Sequence, residues 1–101
     1  MYCENHHYSE SDTPRRNTFN YDWFTVINKV DAEGSEARIK HGFAPKANDL
    51  EALSVLIEEV GEVATALNQN LPKQELEKEL IQVASVAIRW LQGDLTFSRK
   101  A

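Results

Sequence analysis

The chain has one cysteine, three prolines, four glycines and no long apolar run. Each scarcity excludes something. A lone thiol, Cys3, allows no intrachain disulfide, and a reducing, cytoplasmic setting is the simplest expectation. No stretch approaches the roughly 20 apolar residues of a membrane span, and no signal-peptide core opens the chain, so no membrane partner is expected. Basic charge is also short. Eleven Lys and Arg against 16 Asp and Glu leave a net charge of −5, with no basic stripe to track a nucleic-acid backbone. Period-two alternation persists nowhere, so the pattern argues against a sheet. The expectation is an all-α chain of one small domain.

Residues 1–18 are polar, carry Ser9, Ser11, Pro14 and the pair Arg15-Arg16, and read as a flexible arm. The adjacent His6 and His7 face different ways on any regular element and make a poor metal pair. Residues 19–97 form the helical domain and 98–101 a tail. A first helix is predicted from Asn20 as N-cap to His41, with Gly42 as its stop. Its apolar stripe is Phe24, Ile27, Val30, Ala37 and His41, with a bend or break at Gly34. Asn48 and Glu51 have capping-box spacing and open a second helix that ends over Asn68–Pro72. Pro72 suits the first turn of a third, which Gly93 ends.

The second helix carries Leu53, Leu56, Ile57, Val60, Val63, Ala64 and Leu67 on its main apolar stripe. Glu51, Glu58, Glu62, Thr65 and Gln69 mark the opposite side. Glu59 belongs to neither, because its neighbours one turn away are Val55, Leu56, Val63 and Ala66. The third helix repeats the anomaly. Its wide apolar face runs from Leu76 and Leu80 through Val83, Val86 and Trp90, and Glu79 falls inside it with Gln82 at the edge. Carboxylates among apolar side chains need a compensating partner. That partner is a cation held between the two helices, or a salt bridge from Arg89 or Lys73.

The strings Leu56-Ile57-Glu58-Glu59-Val60-Gly61-Glu62 and Glu79-Leu80-Ile81-Gln82 resemble the motifs of the MazG-like, all-α nucleoside triphosphate pyrophosphohydrolases. That family's pattern is E-E-x-x-E followed, after a spacer, by E-x-x-D. The resemblance covers roughly residues 20–95 and departs at one place, where Gln82 stands for the Asp. It implies a helical bundle completed by homodimer or homotetramer formation, and Mg²⁺ as cofactor. It implies hydrolysis of a nucleoside triphosphate to the monophosphate and pyrophosphate, a house-cleaning or nucleotide-pool role. Carried over, Glu59, Glu62, Glu79 and Gln82 are metal ligands, and Glu58 and Glu59 are catalytic. Arg38, Lys40, Arg89 and Trp90 are candidates for the substrate side, Arg89 either on phosphate or paired with Glu79 or Glu75. Trp23, Phe24, Trp90 and Phe97 are expected at an interface or a base pocket. A Gln side chain brings no charge to a hard cation, so the alternative is a helical dimerisation or nucleotide-binding module with weakened chemistry.

Overall fold

The computed structural model describes residues 19–42 and 44–96; the expectations for the arm, His6, His7, Phe97 and the tail fall outside them. Three helices follow one another: α1, Trp23–His41; α2, Asp49–Asn68; and α3, Lys73–Leu91. No strand occurs among the described residues, where Lys46 and Thr96 form an isolated bridge. The all-α expectation holds at this level.

Local chemistry sets each end. Asp22, not Asn20, caps α1, accepting the Thr25 amide at 2.8 Å. Its negative charge also favours the helix N-terminus over a neutral amide. The α2 box is reciprocal: Asn48 accepts from the Glu51 amide at 2.8 Å, and Glu51 accepts from the Asn48 amide at 3.0 Å. Asn70 ends this helix at φ 55°, and the amides of Asn70 and Leu71 donate to the carbonyls of Leu67 and Ala66. This is a Schellman closure. Gly93, at φ 70°, closes α3 the same way, with Gly93 and Asp94 donating to Trp90 and Arg89. Pro72 lies one residue before the first turn, at the N-cap.

The expected break at Gly34 does not occur, because α1 runs through it to His41. Gly34 is buried instead where α1 meets α3: a Cβ there would lie 3.7 Å from Ser85 Oγ and 3.8 Å from Arg89 Cδ. The small residue serves close approach rather than flexibility.

α3 is the middle of the fold. Both other helices pack on it and not on each other. The core between α2 and α3 is small: Ala52, Val86 and Leu95, with Ala47, Val55, Leu56 and Trp90 against them. Two bonds pin it: the Ala47 amide to the Leu95 carbonyl at 2.8 Å, and Trp90 Nε1 to Asp49 Oδ1 at 2.8 Å. Trp90 therefore ties two helices together.

The packing shifts the inward face of α2 around the helix, keeping Leu56 and Val63 of the expected stripe and turning the rest of it out. Ala52 and Ala66 are its buried residues, with Val55, Leu56, Glu59 and Val63 half-buried between them. Leu53, Ile57, Val60 and Leu67 from the main stripe point outward, Ile57 at 60% exposure. Small side chains let two helices approach, so the alanine row faces α3 and the larger residues stay uncovered. Phe24 on α1, Trp23 beside it, and Leu91 on α3 are exposed as well. Phe24 is thus no part of an inward stripe.

A cleft between two helices with acids at one end

Because α1 and α2 share only α3 as support, a cleft of about 790 Å³ opens between them. The C-terminal half of α1 forms one wall through Glu33, Glu36, Ala37, Ile39, Lys40 and His41. Val55, Glu59 and Glu62 come from α2, and Lys78, Gln82, Ser85, Val86 and Arg89 from α3. Leu95 and Thr96 close one end.

Glu59 lies in the inward row of α2, where a hydrophobic residue would ordinarily stand. Glu79 and Gln82 are one turn apart on the facing side of α3. One carboxylate oxygen from each of Glu59, Glu62 and Glu79 lies within 4.8 Å of the others. The ion pairs of the described residues, Lys29–Glu77, Arg38–Asp94 and Lys46–Asp94, leave this group alone. Neither Lys73 nor Arg89 neutralises it, and the expected salt bridge from Arg89 to Glu79 or Glu75 is not formed.

Crowding shows in the acidities. Burial first, then the charges of Glu62 and Glu79, push the Glu59 carboxyl up to about 7. Burial and the Glu62 carboxyl also raise Glu79. Burial, ahead of the nearby Lys40 charge, lowers His41 on the opposite wall.

Gln82 mediates between the acids. In the amide orientation that satisfies both sides, its nitrogen donates to Glu59 Oε1 at 2.8 Å and to Glu79 Oε1 at 3.1 Å; such an orientation is assigned from the bonding partners. The residue where the sequence pattern departs is the one that bridges the two half-buried carboxylates.

The remaining candidates divide. Lys40 and Arg89 line the cleft. Arg38 does not: its Nε meets Asp94 at 2.7 Å and its Nη2 bonds Gln92. Trp90 is committed to Asp49. Glu58 is exposed and outside the cleft lining, as are Trp23 and Phe24. Nothing in the residue pattern singles out Ser85, which is 2% exposed beside Arg89 at 4%.

A smaller apolar cavity of about 180 Å³ lies between the start of α1 and the middle of α3. Its charged groups are satisfied, since Glu77 accepts from Tyr21 and pairs with Lys29 at 3.0 Å. Comparison with protein-family models, with curated proteins and with solved structures returns no match.

Proposed function

We propose that the chain is a Mg²⁺-dependent nucleotide pyrophosphohydrolase of the MazG-like type, with its site at the acidic end of the interhelical cleft. The observation that carries this reading is the convergence of Glu59, Glu62 and Glu79 within 4.8 Å, with no basic side chain paired to them. Three hard oxygen donors at that spacing fit a small divalent cation, and the Glu59 carboxyl, raised first by burial and then by Glu62 and Glu79, is what half-buried acids held together without one are expected to show.

In this reading Glu59, Glu62 and Glu79 hold Mg²⁺, and the Gln82 carbonyl is available to it once the amide rotates. The bound ion supplies charge neutralisation for phosphate oxygens and activation of a water. Without a cation the Glu59 carboxyl keeps its proton up to about pH 7, and a bound ion would displace that proton. Lys40 on the α1 wall draws the phosphate end of the substrate into the cleft. Glu58, facing outward, contributes no contact within one chain.

Self-association belongs to the same proposal. The outward row Leu53, Ile57, Val60 and Leu67 gives α2 a second apolar face, and no large side chain in the described residues is fully buried. A second copy packed on that row would complete a bundle whose acids stay in the cleft on the other side of α2. Ile57→Glu is expected to yield monomers by light scattering at concentrations where the wild type is dimeric or larger. A wild type that is monomeric at high concentration would remove this part of the reading.

The test of the activity is pyrophosphate release from a panel of NTPs and dNTPs with Mg²⁺. Release is expected from at least one substrate and is expected to vanish in Glu62→Ala. A folded protein silent across the panel would leave the nucleotide-binding module as the better reading.

A further inference from the structure

The opposite end of the cleft holds two polar groups for which the fold provides no partner. Arg89 Nε and Ser85 Oγ are buried and make no hydrogen bond. The guanidinium keeps one bond, from Nη2 to the Thr96 carbonyl at 3.3 Å, and no carboxylate pairs with it among the described residues. A buried cation in no ion pair, offset only by the more distant charges of Asp94 and Glu33, and a buried hydroxyl without a partner are both costly, and natural folds seldom keep either without a use. Burial is the main reason the guanidinium pKa is lowered.

Position gives the use. Gln82, Ser85 and Arg89 follow one another at intervals of three and four residues on one face of α3, and Glu79 lies one turn before Gln82. Together they run from the carboxylates to the guanidinium over about 15 Å. The cleft is therefore two-ended: Glu59, Glu62 and Gln82 at one end, Ser85 and Arg89 towards the other, all on the same lining. A lone cation would use the first end only. A ligand carrying both a bound cation and oxyanions would use both.

We propose that Ser85 and Arg89 form an oxyanion subsite that takes a phosphate group of the ligand whose cation the carboxylates hold. The subsite rests on the proposed function for the identity of its ligand, but its existence depends only on the two orphaned groups. Arg89 supplies a charged donor and Ser85 a short hydroxyl donor, the pairing that phosphate oxygens accept best. Ser85 is a binding residue here, not a structural one, because its hydroxyl contributes nothing to the unliganded fold.

The test is calorimetric titration with inorganic pyrophosphate at low salt, in EDTA and in Mg²⁺, on wild type, Ser85→Ala and Arg89→Gln. Wild type is expected to bind in both media. Ser85→Ala is expected to weaken binding roughly fivefold and Arg89→Gln roughly tenfold or more. Ser85→Ala should melt no lower than wild type and should bind Mg²⁺ alone unchanged, which a merely structural role would not give. Variants that bind pyrophosphate as tightly as wild type in both media would overturn the subsite. Loss of binding in the variants, with no Mg²⁺ bound by wild type, would keep the subsite and remove the metal reading. A non-hydrolysable dNTP analogue binding more tightly than pyrophosphate would identify the phosphate as a nucleotide's.

Discussion

Glu59→Gln is expected to lower Mg²⁺-dependent pyrophosphate release at least about a hundredfold while raising the melting temperature of the cation-free protein. The two effects have one origin. The carboxylate sits in the row of α2 that faces α3, beside Glu62 and Glu79, so its charge is opposed by the fold and would be favoured by the proposed cation. Its acidity moves from an ordinary 4.5 to about 7. At about 1.4 kcal/mol per unit this is near 3 kcal/mol for a fully buried group. Water reaches Glu59, and about 1 kcal/mol is the discounted figure.

The sign follows from proton uptake. Between pH 4.5 and about 7 the folded chain holds the Glu59 proton more firmly than the unfolded chain does. Stability from this group is complete below the unfolded pKa and is lost as pH rises through the folded one. Asp22 and Asp94 have lowered pKa values, so their contributions fall away only in more acid solution. His41, lowered by burial, works in the opposite direction within the window but is common to both proteins. The difference between wild type and Glu59→Gln therefore reports the carboxylate together with its interactions with Glu62 and Glu79. Urea unfolding in EDTA from pH 5 to 8 should show the wild type losing ground to the variant, and Mg²⁺ should restore it. Parallel pH profiles, unaffected by Mg²⁺, would sink the metal site.

Some of this was legible in the sequence because it was local. Glu59 stood out against Val55, Leu56, Val63 and Ala66, and those residues do surround it on the inward face. The Asn48–Glu51 box and the Gly93 stop are decided within a few residues. What the sequence could not rank was the choice between two apolar faces of α2. Summed hydrophobicity favours Leu53, Ile57 and Val60, whereas close helix packing favours Ala52 and Ala66. Packing won within the chain, and the larger residues were left facing out. Long-range pairings left no local trace: Arg38 with Asp94 and Trp90 with Asp49 are separated by 56 and 41 residues. Ser85 carried no signal in periodicity, because a serine among alanines and valines reads as filler. Only the missing hydrogen bond distinguishes it.

Gln82→Asp should have effects of opposite sign with and without a cation. In EDTA the wild-type amide donates to Glu59 and Glu79 at once, each bond of the kind worth about 1.5–3 kcal/mol when the acceptor is charged. An Asp there removes both donors and adds a fourth carboxylate. We expect about 3 kcal/mol of destabilisation above neutral pH, at the lower end of the sum because the cluster is only half-buried. With Mg²⁺ the same change adds a charged oxygen ligand, and affinity should rise roughly tenfold or more. If the proposed metal site is right, Gln82 is the neutral spacer that lets three acids stand together without the ion, at some cost to how firmly they would hold it. Unfolding in EDTA and in Mg²⁺, with Mg²⁺ titration calorimetry, measures both sides. Equal stability in EDTA would mean the amide does not bridge the acids. A stable variant with unchanged Mg²⁺ affinity would mean that position 82 does not face the ion. If affinity rises and pyrophosphate release rises with it, Gln82 is what limits the chemistry. If affinity rises and release stays absent, the cleft binds a metal–phosphate ligand without cleaving it.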